Sequence, residues 1–558
     1  MKPLFHQQNL TLSLVSALLI LCGCSAAHYR KSADAEAYKA IAGKSGLVKN
    51  TEPQFNIEQT NRIVLDSLPI QTDAADFLGT DGAAEVGAHI VSLDESLKLA
   101  VQHNRTYQSR KESLYFSALS LTLARHQFTP LFNAGVKGGI AGQTQQAVDG
   151  LTEDQSVSVA GSADSSWLIR DVGRISASFT TDFLRFITGD PRTFTSSRVG
   201  ATFARPLLRN ANFKAQIEAL TQSERNLLYD LRVFTQFRKD FSVQVASAYY
   251  DVLGRRDAAR NSFLNLQSSR TNAVRTRALA AEGRVTQADL GRLEQQELDA
   301  ENSWNSAVLS YKQTLDRFKL TQLGIPVAVN VALDDKDLTA LLIENPTLGI
   351  DESIKIALAS RTDFMNVKDR HDDALRQVNL TKDFLKPQVD LVADVAIVND
   401  PARSGRLNFP DASRYSWSAG LDVNLPLDRK SERNSYRSAL IAEKSAGRAV
   451  EQQEDQIRLD VRDSWRTLDQ AKRTYEISEI QVKINERRVE EQTILSELGR
   501  AKAQDQVDAQ NALNASKNAR TQALVTHTIA RLQFWNNMGI LFIKDNGRWE
   551  EMTNAGKQ

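Results

Sequence analysis

Cysteine is almost missing from this chain: Cys22 and Cys24 are the only two, both within the first twenty-five residues. Once a leader containing Cys22 is removed no intramolecular disulfide is possible, so an exported product depends on packing and assembly. There is no excess of either charge, with 69 Lys and Arg against 68 Asp and Glu for a net charge of +1. Nucleic acid is thereby excluded as a partner, since no basic surplus is left to neutralise phosphates. Long hydrophobic runs are absent too. The single apolar stretch, 10–21, is too short for a spanning helix, and 25% of residues are charged; if this chain crosses a membrane, it does so with strands. The seven histidines are scattered, with His103, His126, His371 and His527 on helical patterns at no ligand spacing. Without a mature thiol or a turn that exposes a serine, nothing supports catalysis, and no metal or cofactor site can be drawn. Four methionines do not suggest a dedicated copper or silver exporter.

What the start of the chain does have is a targeting pattern. Lys2 supplies the positive end, 10–21 the apolar core, and Leu21-Cys22-Gly23-Cys24 the small-residue cleavage pattern ending in cysteine that marks a bacterial lipoprotein. Residues 1–23 then form the signal peptide and Cys24 becomes the lipid-attached, palmitate-bearing first residue. Ser25 after it favours outer-membrane sorting. The alternative is an ordinary signal peptide with two incidental cysteines.

The chain also repeats itself. SLDESLKLA from Ser92 returns as GIDESIKIA from Gly349, an offset of 257, and Pro130 falls on Pro387 at the same offset. Gly283-Arg284 matches Gly499-Arg500 and Phe318 matches Phe534, both offset by 216. A repeat this long is a duplicated architecture, not a solenoid of short units. It divides the chain into a polar tether with local docking contacts at 24–91, a first repeat at 92–323, a connecting segment at 324–349, a second repeat at 350–540 and a tail at 541–558.

Ser92 with Glu95 forms a capping-box pattern, predicting one helix from there to about residue 127. Alternating stretches follow at 131–140, 156–161, 174–183 and 198–204, within a strand region of 131–205 that holds Phe132, Trp167, Phe179, Phe183, Phe186, Phe194 and Phe203. Such aromatics suit the girdles of a transmembrane barrel, and equally the core of a soluble sheet. A long helix to about 281 carries the seam Phe234, Phe237, Phe241, Val245, Ala248 and Val252, stepping by three and four. After the tip near Gly283 a second helix runs to about 323, where Gly324 and Pro326 end it. The second repeat predicts a helix at 353–385, strands within 389–425 (389–398 and 415–425), a long helix carrying Ile457, Val461, Trp465, Leu468, Ala471 and Tyr475, a tip near Gly499 and a last helix to about 538. Long helices of roughly 70 residues reach about 100 Å, twice their neighbours, so two short helices end to end match one long one, as in the wall of a hollow coiled-coil tube.

These residues together resemble the TolC-like outer-membrane efflux protein family over 92–540. The likeness rests on the duplicated helix opening, the strand-to-helix prolines Pro206 and Pro426, the turn GRVTQAD from Gly283 and the helix end FKLTQLGIP from Phe318. It implies a mainly α protein with membrane β: a duplicated strand and long-helix protomer forming a trimeric outer-membrane β-barrel continuous with a periplasmic helical tunnel. It further implies a passive exit duct of a tripartite efflux or type I secretion system, lipid-anchored in the cell outer membrane and docking on a periplasmic adaptor, the membrane-fusion protein, and an inner-membrane pump. The adaptor-docking tips are then Gly283, Arg284, Gly499 and Arg500, where arginine replaces the apolar residue of many relatives. Asp505 and Asp508, three apart and on one helix face, fall where the family narrows its periplasmic entrance, and Asp289 takes the matching place in the first repeat. Asp289 is a candidate partner for Arg500 or Lys502 across the tips. The bland alternative for the aspartates is a solvated helix face.

One departure stands out. Pro130 to Pro206 spans 76 residues and Pro387 to Pro426 only 39, an excess large enough for one more β-hairpin. If 156–161 and 174–183 insert, a trimer has about eighteen strands, otherwise about twelve; Trp167 in a turn on the periplasmic side supports insertion. The competing functional class is a periplasmic structural or adaptor coiled-coil lipoprotein without a barrel. The exported substrate is not written in the sequence.

Overall fold

The structure, a computed structural model, describes residues 25–52, 54–58, 63–147, 150–188, 193–399, 410–498, 500 and 502–550. Cys24 and Gly499 lie outside them. In chain order the elements used below are α1 (Ala26–Ser45), β1 (His89–Val91), α2 (Leu93–His103), α3 (Arg105–His126), β2 (Leu131–Ala147), β3 (Gly150–Ile169), β4 (Gly173–Phe186), β5 (Thr193–Pro206), α4 (Lys214–Ala281) and α5 (Gln287–Arg317). After these come β6 (Val331–Leu333), α6 (Ile350–Ser360), α7 (Thr362–Asp383), β7 (Gln388–Val398), β8 (Tyr415–Asn424), α8 (Lys430–Glu497) and α9 (Ala503–Asn537).

Two compact units divide the chain. The first takes Phe116–Tyr229, Lys368–Ala449 and the residues up to Gly43; the second takes Lys44–Tyr115, Asp230–Val367 and everything from Val450. In the first unit β2, β3, β4, β5, β7 and β8 form one antiparallel sheet in that order. The stretches whose alternation predicts strands lie in these six, with Leu425 alone beyond the end of β8. Polar contacts hold α4 to α7 beneath it. Arg225 pairs with Asp373 at 2.5 Å, Tyr229 Oη donates to the same carboxylate at 2.6 Å, and Arg376 joins Asp373 and Glu218 at 2.7 and 2.8 Å. Burial alone raises the Asp373 pKa, but hydrogen bonds from Tyr229, Gln222 and Arg376 outweigh it and hold the group below its usual value.

The second unit is helical and built on the predicted seams. Phe234, Phe241, Val245 and Val252 of α4 are buried, with Tyr107 packed against Phe234, Phe237 and Phe241 at ring distances of 5.2 to 5.9 Å. Ile457, Val461, Leu468 and Ala471 of α8 share a core with Phe364, Ala530, Phe534 and Met538, and Trp465 packs beside it.

Two expectations are corrected. The tether begins as a helix, not as irregular chain: seven of the twenty residues of α1 are alanine, and alanine's high helix propensity needs no apolar period. Farther on, residues 76–91 dock into the second unit, in keeping with the local docking contacts expected of the tether. Trp304 Nε1 donates to Phe77 O at 2.7 Å, buried Arg256 binds Glu85 at 2.7 Å and Tyr311 Oη at 2.7 Å, and β1 pairs in parallel with β6 of the connecting segment. Finally, the single helix expected from Ser92 to about 127 is two. Ser92 Oγ caps the first as predicted, accepting from Glu95 N at 3.4 Å, but Asn104 leaves helical backbone at φ −69°, ψ 123°. Its Oδ1 accepts from Thr106 N and Tyr107 N at 2.9 and 3.1 Å, and its Nδ2 donates to the carbonyls of Thr321 and Gln322, both at 2.9 Å. Arg361, 257 residues later, makes the same break between α6 and α7 at φ −70°, ψ 120°.

Candidate functional site

Side chains alternate faces along a strand, so the register sorts the sheet into two surfaces. One cross-strand row reads Ala134, Ala163, Phe179, Val199, Ile397, Tyr415, and its neighbour Phe132, Ser165, Ala177, Ala201, Val395, Trp417. On the opposite face the rows read Asn133, Asp164, Ser178, Gly200, Ala396, Ser416 and Leu131, Ser166, Ser176, Thr202, Asp394, Ser418. One face is thus apolar and rich in aromatics; the other is hydroxylic, with Thr202 Oγ1 donating to Asp394 at 2.7 Å. Among the described residues no layer covers the apolar face in a single chain: Phe132 is 81% exposed, Ile140 79% and Trp417 72%. An apolar surface that large marks contact with lipid or another chain. Among the described residues the outer edges of β2 and β8 have no partner strand.

Trp167 lies in β3, three residues before the turn at 170–172, and not in the turn itself; its Nε1 donates to Phe128 O at 3.2 Å. The β3–β4 turn is therefore at the end of the sheet where α3 enters β2. Among the described residues no helix is long and apolar enough to cross a membrane.

The second candidate region is the pair of hairpin tips in the helical unit. Past Ala281, Gly283 takes φ +74°, while Gly283 N donates to Ala280 O and Arg284 N to Leu279 O, both at 3.0 Å. This crossed pair is how a helix closes on a left-handed residue. At the second tip Arg500 N donates to Leu495 O at 2.8 Å, the counterpart of the Arg284 N to Leu279 O bond at the offset of 216. Thr286 caps α5, accepting from Asp289 N at 3.1 Å and donating to Asp289 Oδ2 at 2.7 Å. Asp289 thus has its partner within its own turn, and among the described residues no ion pair joins it to Arg500 or Lys502. Arg284 meets Glu282 at 3.6 Å, both about two-thirds exposed, a contact of little energetic value. Asp505 and Asp508 are exposed on the first turns of α9, and Asp508 Oδ1 accepts from Gln504 at 2.9 Å.

Sequence reading missed the polar contacts that join the hairpins. Gln296 of α5 and Asn511 of α9 exchange amide hydrogen bonds at 3.0 and 3.3 Å; Asn261 Nδ2 donates to Asn518 at 2.9 Å and Thr521 to Asp257 at 2.7 Å. Amides at seam positions were the available signal, since they fix register at a cost in stability. Lys239 was missed too: buried, it donates to Gly539 O at 2.8 Å, and burial pulls its pKa down to about 8. Among the described residues no group of three or more His, Cys, Asp and Glu is placed to hold a metal ion.

Comparison with known proteins follows this geometry. The family model described as outer membrane efflux protein matches residues 353–537. The fold is similar to that of CusC, solved for its conformational changes accompanying folding and transmembrane channel formation (TM-score 0.61, 12% identity, covering 80% of this chain and 92% of that one). It is also similar to the outer-membrane channel OprN (0.60, 14%, 88% and 98%) and to the outer membrane channel CmeC of Campylobacter jejuni (0.58, 12%, 88% and 94%). No curated protein sequence matches the chain.

Proposed function

We propose, from the match of the outer membrane efflux protein model to residues 353–537 and the fold's similarity to solved outer-membrane channels, that this chain is the trimeric exit duct of a tripartite efflux or type I secretion system. The observation that carries the reading is the open sheet with one apolar face and two unpartnered edges. Such edges are untenable in lipid unless another chain pairs with them. Neighbouring strands alternate in direction through all six, so β8 of one copy runs antiparallel to β2 of the next and a head-to-tail ring of copies closes with every strand paired.

In this reading the apolar face meets outer-membrane lipid, the hydroxylic face lines the pore, Cys24 bears the lipid anchor and the helical unit is periplasmic. The tips around Gly283, Arg284, Gly499 and Arg500 dock on a periplasmic adaptor, which links the duct to an inner-membrane pump. Asp505 and Asp508, with Asp289 nearby, narrow the entrance. A periplasmic coiled-coil lipoprotein without a barrel gives no reason for a sheet with an uncovered apolar face.

Mass measurement in mild detergent, followed by recording in planar bilayers, tests the assembly. The expected species is a trimer that conducts ions. A stable monomer that still conducts would overturn it.

A further inference from the structure

We infer that the excess of the first repeat is not an appendage but part of the pore wall: each copy inserts six strands, and the trimer closes as a barrel of about eighteen. The inference rests on the duct reading above. Three observations carry it.

First, β3 and β4 lie inside the sheet, between β2 and β5. Were they to fold above the membrane, β2 and β5 would be left without their partners in lipid, where no water can replace the lost hydrogen bonds. Second, the cross-strand rows pass through β3 and β4 without a change of face. Ala163 and Phe179 continue the apolar row from Ala134 to Val199, Ile397 and Tyr415, while Asp164 and Ser178 continue the polar row from Asn133 to Ala396 and Ser416. Because β7 and β8 belong to these rows, the hairpin is in continuous register with strands that form the wall on either count. Third, the hairpin turn lies at the α3 end of the sheet, where Trp167 donates to Phe128 O, and both strands, at 20 and 14 residues, exceed the roughly 9–11 needed to span a bilayer.

The consequence is a wider exit. Barrel diameter grows about linearly with strand number, so eighteen strands give a lumen about half again as wide as twelve and roughly twice the cross-section. Ser158, Ser162, Ser166, Ser176 and Ser178 of the added hairpin line it with hydroxyls.

The test uses single-cysteine variants of the full chain, spin-labelled and reconstituted as assembled protein: Ala177→Cys and Ser176→Cys in the hairpin, Ala201→Cys and Ser418→Cys as references in β5 and β8. Collision with oxygen reports lipid, and collision with a water-soluble nickel chelate reports the aqueous lumen. Position 177 is expected to match 201 in oxygen exposure, and 176 to match 418 in nickel exposure. Nickel access at both 176 and 177 with references that still differ would overturn the eighteen-stranded wall and leave the duct intact. Nickel access at all four would overturn the duct reading itself.

Discussion

His527 is fully buried on α9, its Nε2 2.8 Å from Asn345 Oδ1. Burial, with Arg531 and Lys472 nearby, lowers its pKa to about 4, whereas an unfolded histidine titrates near 6.5. Between those values the unfolded chain binds the extra proton, so this residue's contribution to stability is complete above about pH 6.5 and is lost as pH falls toward 4. His527→Gln keeps a donor for Asn345 and removes the titration. Thermal midpoints of the detergent-solubilised protein at pH 7 and pH 4.5 are expected to fall less in the variant than in the parent; equal losses would mean that other groups govern the acid response. Such a residue was not readable beforehand. A histidine on a helical pattern tells nothing of its burial, and Asn345 lies 182 residues away in sequence.

Helix ends were readable where glycine or proline marks them and obscure where tertiary partners do. Gly283 and Gly324 stop their helices at φ +74° and +72° for the conformational reason that made them legible. Asn104 and Arg361 carry no such mark: the Asn104 break depends on carbonyls more than 200 residues away, and the parallel pairing of β1 with β6 joins segments that local pattern marks only as connectors. Strands were legible because the sheet keeps a strict inside-outside alternation, and their full lengths were not, since β2 and β3 run on beyond the apolar residues. The two glycines also differ in a way only the structure reveals. A Cβ on Gly324 comes within 2.3 Å of His103 O and 2.9 Å of Asn104 Cα, both backbone atoms, while one on Gly283 meets nothing within 4 Å. Gly283→Ala is therefore expected to cost about 1–2 kcal/mol for its left-handed backbone alone, and Gly324→Ala the same plus an overpacking cost of about 1–3 kcal/mol. Comparable falls in thermal midpoint for the two variants would argue against the close approach of Gly324 to the α2–α3 break.

In the duct proposed above, gating is a property of the trimer, because two exposed carboxylates on one copy are unremarkable and six on a trimer are not. Asp505 and Asp508 each face water in the single chain, where solvent screens them and no cation is held strongly. Brought together from three copies around a narrow entrance, the same groups add their potentials in a confined space, which favours cations and resists closure until a counter-ion binds or the helices separate. The replacement Asp505→Asn with Asp508→Asn preserves size and hydrogen-bonding capacity while removing six negative charges from the trimer. Assembly should be retained, preference for cations over anions in single-channel recordings should fall, and block by multivalent cations added from the periplasmic side should weaken. Asp289 makes the internal comparison: because Thr286 already donates to its carboxylate, Asp289→Asn should change selectivity less than the double variant. Unaltered selectivity and unaltered cation block in a properly assembled double variant would return Asp505 and Asp508 to the role of solvated helix residues, and would move the constriction elsewhere along the duct.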